Sequence, residues 1–171
     1  MSAAHLVKRF FGSVVPVGPT KKNELWAAEL LLPEQRKLWF RMSRVDRRHA
    51  VGVARRVERA LGHEATPPVL AAALLHDVGK LDSGLGTYGR VVATLAGAVG
   101  GRDMATQWSK ATGFTRRVGL YLRHAELGGN LLDLAGSDPL TSAWAREHHN
   151  SEDTWTVPPR IAQALKAADD D

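Results

Sequence analysis

Residues 67–80 read PPVLAAALLHDVGK, and this stretch decides the fold. Thr66 and the two prolines after it are typical of a helix N-terminus, because proline is tolerated in a first helical turn. Residues Val69–Leu75 are apolar on every side, and a helix that is hydrophobic all round belongs in a protein core. His76 and Asp77 are therefore predicted to lie at the inner end of a buried helix.

The His76-Asp77 dipeptide alone has two interpretations. Burying an imidazole and a carboxylate is costly unless they are paired or bind a cation, so they are either a hydrogen-bonded pair between helices or metal ligands. The other histidines favour metal ligands, because five of the seven lie on or at the ends of predicted core helices. These are His49, His76, His124, His148 and His149. Asp169 ends the last predicted helix, whereas His5 and His63 are predicted surface residues.

The rest of the chain predicts an all-α protein, because apolar residues recur three and four apart and strand-like alternation is not sustained. Residues 1–22 are expected to form a short helix (3–12) and a linker (15–22), followed by one helical domain, residues 23–171. The predicted helices of this domain span residues 23–32, 33–42, 43–61, 67–77, 88–99, 103–112, 115–134, 139–149 and 159–168.

His49 lies near the edge of the apolar stripe of its predicted helix. A lone histidine in such a place is more often a hydrogen-bonded core residue than a ligand. Ser43 or Asp46 is expected to cap this helix, and Gly62 to end it. Only the further histidines make a ligand role for His49 the better interpretation.

Composition excludes several classes of protein. The 171 residues contain no cysteine, which excludes disulfides and thiolate metal sites and is compatible with the cytoplasm. No apolar run approaches the roughly 18–20 residues of a membrane span, and the N-terminus is not typical of a signal peptide. The net charge of +5 implies attraction to anions, but zinc-finger spacing and other nucleic-acid motifs are absent.

The available side chains limit the kind of metal site. Imidazole and carboxylate suit Mn²⁺, Fe²⁺, Zn²⁺ or Co²⁺, and without sulfur ligands only a nitrogen–oxygen site is available. Helices that each direct a ligand inward are a known way to build such a site in a bundle. Because a carboxylate can bridge two ions, and two ions suit phosphoryl transfer, we expect one or two divalent ions.

The order His49, His76-Asp77, Asp169 resembles the H…HD…D signature of the HD superfamily of metal-dependent phosphohydrolases. The string AALLHDVGK, residues 72–80, is similar to its core helix, and the resemblance covers residues 46–169. It implies a helical bundle that hydrolyses a phosphate ester or anhydride, in a nucleotide or a related small anion. A phosphodiesterase activity falls within this expectation.

Two further segments resemble the HD-GYP subgroup, namely RHAELGGNLL (residues 123–132) and REHHN (residues 146–150). In that subgroup such segments supply ligands to a second metal. The Gly-Tyr-Pro motif itself is missing, and Val45 stands where trinuclear members have a glutamate. Neither a third ion nor cyclic di-GMP as substrate is therefore expected.

The resemblance implies a role for each candidate residue. The ligands of one ion would be His49, His76, Asp77 and Asp169, and those of the second would be Asp77, His124, His148 and His149. Asp170 is the alternative to Asp169. Lys80 would bind a substrate phosphate, unless it is a surface residue beyond the helix end, and Arg123 or Arg160 would bind further phosphates.

Two other functions stay open at this point. One is a degenerate HD module that acts in signalling or binding without turnover. The other is a basic protein that binds nucleic acid or a membrane surface, with residues 1–12 as an anchor.

Overall fold

The structure, a computed structural model, describes residues 17–171, without the side chains of residues 87, 88, 91 and 97–103. Across these residues all regular secondary structure is helical, so the all-α prediction is confirmed. The α-helices are α1 (Lys21–Leu30), α2 (Pro33–Arg41), α3 (Arg44–Leu61), α4 (Pro67–Leu75), α5 (Thr87–Ser109), α6 (Gly113–Leu122), α7 (His124–Leu134), α8 (Pro139–Glu147) and α9 (Pro159–Asp170). Short 3₁₀ turns span Gly62–Glu64, Val78–Ser83 and Glu152–Thr154.

Helix α4 lies at the centre of the molecule. Its residues Val69–Leu75 are all buried, as its sequence without a polar face predicts. It packs against α3 on one side and α8 on the other, while α9 packs against α3 and α7 against α8. The C-terminal end of α4 therefore lies among the helices that carry the other candidate ligands.

A smaller apolar cluster lies between α5 and α6, which pack closely together. Its buried residues are Leu85, Ala93 and Val118. Both α6 and α7 also contact the 3₁₀ turn Val78–Ser83, which connects this helical pair to the central helix.

Several predicted boundaries were wrong. The predicted helices 88–99 and 103–112 are instead one helix, α5, which runs through residue 102 and ends at Ser109. Internal glycine costs a helix only about 1 kcal/mol and does not have to end it. Residues 115–134 instead form two helices separated at Arg123, whose φ of −98° and ψ of 12° leave the helical region. Helix α1 begins within the predicted linker, because the Thr20 side chain accepts a hydrogen bond from the Asn23 amide.

Ser43, rather than Asp46, caps α3, since its hydroxyl accepts a hydrogen bond from the Asp46 amide at 3.1 Å. The predicted helix over residues 3–12 lies outside the described residues. Within the described part of the chain, no helix is both long enough and apolar enough to cross a lipid bilayer.

Candidate metal centre

The ends of several helices meet around Asp77. His76 and Asp77 follow the last residue of α4, His124 is the first residue of α7, and His148 and His149 follow the last residue of α8. His49 lies within α3 and Asp169 in the last turn of α9. All seven predicted ligands are brought together by this arrangement. We call them the His/Asp cluster.

The first half of the cluster joins α3, α4 and α9. His49 Nε2 lies 2.8 Å from Asp169 Oδ1, and His76 Nε2 lies 3.5 Å from the same oxygen. Ligand atoms of His49, His76 and Asp77 lie within 4.8 Å of one another, which is close enough to share one cation. His76 is buried, whereas the His49 side chain is 28% exposed and opens this half to solvent.

The second half consists of Asp77 and three histidines, His124, His148 and His149, with ligand atoms again within 4.8 Å of one another. His124 Nε2 lies 3.0 Å from His149 Nε2. His124 and His148 are buried, whereas His149 is exposed as a residue although its ring lies against His124 and His148.

Asp77 belongs to both halves through its two oxygens. Its Oδ2 lies 3.5 Å from His76 Nε2, and its Oδ1 lies 3.5 Å from His124 Nε2 and 3.7 Å from His148 Nε2. Lys80 Nζ donates a hydrogen bond to Oδ2. A carboxylate placed in this way has one oxygen available to each of two cations.

Three of the histidines are oriented by the same local contact. The Nδ1 atoms of His76, His124 and His148 lie 2.9, 2.7 and 2.9 Å from the carbonyl oxygen three residues earlier in the chain. A carbonyl can only accept, so each Nδ1 carries a proton and donates it. In the neutral ring the lone pair is then on Nε2, the atom that faces the cluster.

These inward-facing nitrogens are poorly satisfied by the protein itself. Nε2 of His76 and Nε2 of His148 are buried, and within the described part of the chain neither has a partner at hydrogen-bond distance, the nearest carboxylate oxygens lying 3.5 and 3.7 Å away. An unpaired buried polar atom costs about 1–3 kcal/mol, and native proteins usually avoid it. A cation in each half would satisfy both atoms, and the five imidazoles and two carboxylates of the cluster are a donor set that suits divalent transition metals.

The second half is prepared for a cation by its charge state. Burial and the positive charge of Lys80 lower the pKa of His124 to about 3. Burial and the neighbouring His76 lower the pKa of His148 to about 3, and burial and His148 do the same for His149. The three rings are therefore neutral near pH 7, the state in which imidazole binds metal.

The first half has the opposite character. Burial lowers the pKa of His76, but the charges of Asp77 and Asp169 outweigh it and raise this pKa to about 9. Burial would raise the pKa of Asp77, but Lys80 and the surrounding histidines hold it well below its usual range. Without a metal, His76 is therefore an imidazolium between two carboxylates, and a metal ion would have to displace its proton.

Gly79 sets the distance between the two halves. A Cβ atom on residue 79 would lie 1.9 Å from the His124 carbonyl oxygen and 2.5 Å from the Gly128 amide nitrogen. Such contacts are impossible for any other residue without a backbone shift. The 3₁₀ turn that follows Asp77 can therefore pack directly on the first turn of α7, which carries His124.

Arg56 holds the helix end that carries Asp169. Its Nε donates a hydrogen bond of 2.9 Å to the Ala168 carbonyl. Asp170, the alternative last ligand, pairs instead with Lys166 at 2.5 Å. Asp169 is therefore the carboxylate that this helix presents to the cluster.

The predicted phosphate-binding residues differ in location. Lys80 lies beside the cluster, hydrogen-bonded to Asp77, and not on the open surface. Arg123 lies one residue before His124 but pairs with Glu126 at 2.8 Å. Arg160 pairs with Glu64 at the opposite end of α9, about 13 Å from Asp169 at 1.5 Å of helix rise per residue. The fold therefore brings Lys80 to the cluster but not Arg160.

Asp46 and Arg90 form a pair that sequence reasoning missed. Arg90 donates to both carboxylate oxygens of Asp46, at 2.6 and 2.8 Å, and Ser43 donates to one of them. Asp46 is thus fully engaged and is not a ligand in the His/Asp cluster. Local sequence patterns do not predict this contact, because the two residues are 44 positions apart.

Comparisons of this chain with protein-family models, with curated proteins and with solved structures found no match. The resemblance to HD phosphohydrolases accordingly stays a prediction.

Proposed function

We propose that this protein is a metal-dependent phosphohydrolase of the HD type, which cleaves a phosphate ester or anhydride in a nucleotide or a related small anion. One observation carries the proposal: seven side chains from distant parts of the chain converge so that Asp77 offers one oxygen to each of two groups of imidazoles. No group of the described residues donates or accepts a hydrogen bond at the buried Nε2 atoms of His76 and His148, which supports a cation in each half.

Each half of the cluster would hold one ion, with Asp77 shared between them. Divalent ions in such a site stabilise charge on phosphoryl oxygens and supply a nucleophilic water at neutral pH. His49 and His149 are the solvent-exposed members of the two halves, so a substrate phosphate can approach between them. An anion is favoured because the side chains around the cluster include a half-buried cation, Lys80.

Lys80 has two roles in this proposal. It pairs with Asp77 Oδ2, which raises the pKa of its ammonium group against the opposing effect of burial, so the charge persists at neutral pH. A fixed positive charge beside the cluster would also offset negative charge that develops on a transferring phosphoryl group.

The test combines metal analysis with an activity screen. We expect freshly purified protein to contain manganese, iron, zinc or cobalt, and to hydrolyse p-nitrophenyl phosphate or bis(p-nitrophenyl) phosphate when Mn²⁺ is added. A double variant, His76→Ala with His148→Ala, should lose metal and activity together. The matched control is His63→Ala, because His63 is exposed and lies outside the cluster.

Two outcomes would contradict the proposal. A folded, metal-loaded wild-type protein that cleaves no ester or anhydride in a broad nucleotide panel would support a binding module without turnover. Protein without metal that binds polyanions in a salt-sensitive way would support the basic nucleic-acid or membrane-surface alternative.

A further inference from the structure

A cavity of about 190 Å³ opens beside Asp77 and Lys80. Its other walls come from the α2–α3 junction, the 3₁₀ turn Val78–Ser83 and the first turn of α5, and none of its lining residues is a histidine of the cluster. The cavity therefore extends away from the His/Asp cluster and shares only Asp77 with it.

The charged side chains of the cavity favour an anion. Arg41, Lys80 and Arg90 line it together with two carboxylates, Asp46 and Asp77. The two oxygens of Asp46 are occupied by Arg90, and Asp77 belongs to the cluster. Lys80 is paired with Asp77, so Arg41 is the cation of the cavity lining that neither of these carboxylates engages.

Arg41 differs from the other two cations because nothing in the described part of the chain pairs with it. Arg90 is fixed by Asp46 and by the Leu85 carbonyl, and Lys80 by Asp77. Arg41 is exposed at the last residue of α2, and among residues 17–171 its guanidinium makes no hydrogen bond or ion pair. A guanidinium at a cavity wall with all its donors open is suited to a planar or tetrahedral oxyanion.

We infer that this cavity binds a second anionic group of the substrate, held by Arg41, while the phosphate to be cleaved lies at the His/Asp cluster beside Lys80. The inference rests on the proposed function and narrows its substrate class. Typical pockets for drug-sized ligands measure about 300–1,000 Å³, so the group held here is compact. The preferred substrate is a small phosphate compound with a second phosphate or carboxylate close by.

A pair of non-hydrolysable probes tests this inference by binding alone. Methylphosphonate has one anionic group and methylenediphosphonate has two, and calorimetric titration of the Mn²⁺-loaded protein gives the affinity of each. Arg41→Ala should lower the affinity for methylenediphosphonate about 10-fold, which is about 1.4 kcal/mol. The affinity for methylphosphonate should stay within about twofold of the wild-type value. Arg41→Lys should keep part of the preference for methylenediphosphonate over methylphosphonate, because the positive charge remains but the bidentate geometry of the guanidinium is lost.

The control is Lys37→Ala, which removes one positive charge from the same helix on an exposed side chain paired with Glu34, outside the cavity. It should change neither affinity. Equal weakening of both probes by Arg41→Ala, or no weakening of either, would overturn the inference. If the wild-type protein hydrolyses p-nitrophenyl phosphate in either of these cases, the proposed function stands and only the cavity assignment fails. If the wild-type protein cleaves no ester but Arg41→Ala still weakens only methylenediphosphonate, the cavity assignment stands and the proposed function fails.

Discussion

The two halves of the His/Asp cluster share Asp77 but differ in the charge state of their buried histidines. In the first half, His76 lies between two carboxylates, and its pKa is raised to about 9. In the second half, three imidazoles with pKa values of about 3 face a single carboxylate oxygen. The first half is balanced in charge without a metal, whereas the second half consists of neutral imidazole rings around one carboxylate oxygen.

This difference indicates what each half requires. The first half can form ion pairs as soon as α3, α4 and α9 have packed, and a cation must then compete with a proton on His76. The second half has no such internal compensation, because its three imidazoles are neutral and do not form ion pairs with Asp77. We therefore expect the second half to depend more strongly on a cation, and the first half to bind its cation more weakly as the pH falls.

Asp77→Asn should have the largest effect, because it breaks both halves at once. Removal of one partner from a buried charged network typically costs about 3–5 kcal/mol, and here Lys80 and His76 would lose their common partner. We expect bound metal and phosphatase activity to fall below detection, as measured by mass spectrometry of metals and by ester hydrolysis. Asp82→Asn is the control, since Asp82 is exposed in the same 3₁₀ turn. Retention of full metal content in Asp77→Asn would show that the two halves do not share this carboxylate.

Gly79→Ala should separate the halves. The new Cβ would require a backbone shift at the His124 carbonyl, and overpacking of this kind costs about 1–3 kcal/mol. The expected result is one ion fewer per chain, with the loss confined to the half that contains His124. Gly86→Ala provides the comparison, because a Cβ on residue 86 would meet no atom within 4 Å. If both variants bind metal equally well, the close approach of the 3₁₀ turn to α7 is not what holds the halves together.

Single ligand variants should then distinguish the halves. His148→Ala removes a ligand of the second half and His49→Ala one of the first. Each variant should weaken the binding of one ion by at least about 100-fold and leave the other ion in place. Loss of a residue that only supports a ligand typically weakens metal binding by roughly 10–100-fold, and loss of the ligand itself should exceed this. Titration with Mn²⁺ followed by metal analysis would resolve the two affinities. A single, common loss of both ions in either variant would mean that the halves act as one site.

The pH dependence of the metal-free protein should report the same contrast. Below about pH 6.5 the unfolded histidines bind protons that folded His124, His148 and His149 do not, so the free energy of unfolding should fall as pH falls. Above about pH 7 folded His76 retains a proton that the unfolded chain has lost, so stability should fall again as the pH rises toward about 9. Urea unfolding in the presence of EDTA should thus show a maximum at about pH 7, where these four histidines of the unfolded chain together bind the one proton that folded His76 holds. A free energy that rises without a maximum up to about pH 9 would contradict the assignment of a protonated His76.

Arg56→Ala should have the smallest effect, confined to the first half. Arg56 acts as a positioning residue through the Ala168 carbonyl next to Asp169, and a charged hydrogen bond contributes about 1.5–3 kcal/mol. We expect roughly 10-fold weaker binding of the first-half ion, with the second-half ion unchanged and partial recovery in Arg56→Lys. Arg59→Ala, an exposed neighbour on α3, should change neither affinity. Equal weakening of both ions would indicate a general loss of stability instead.

Local sequence patterns predicted the helical class and placed five histidines on or at the ends of predicted core helices, whereas the resemblance to the HD signature implied which of them share an ion. The apolar run before His76 predicted a buried helix, and the spacing of the histidines on other helices predicted convergence. Both are properties of short segments, in which periodicity alone determines which side chains face inward.

The contacts that tune the cluster could not be read in the same way. The need for glycine at position 79 arises only where a turn meets the backbone of α7, and the Arg56 contact spans 112 residues of chain. The break at Arg123, which makes His124 the first residue of a helix, also runs against the continuous periodicity of residues 115–134. Each of these features depends on how helices and turns pack against one another, so the periodicity of a single segment cannot predict it.

The contact between His49 and Asp169 also bears on the order of assembly during synthesis. These residues are 120 positions apart, and at about 5–20 residues per second the ribosome needs roughly 6–24 s to add that length of chain. For the last 92 of these residues, from Asp77 to Asp169 and lasting roughly 5–18 s, a nascent chain already contains His49, His76 and Asp77 but not the carboxylate opposite them. An ion acquired before Asp169 emerges would meet an incomplete set of ligands, so correct loading of the first half has to follow the docking of α9.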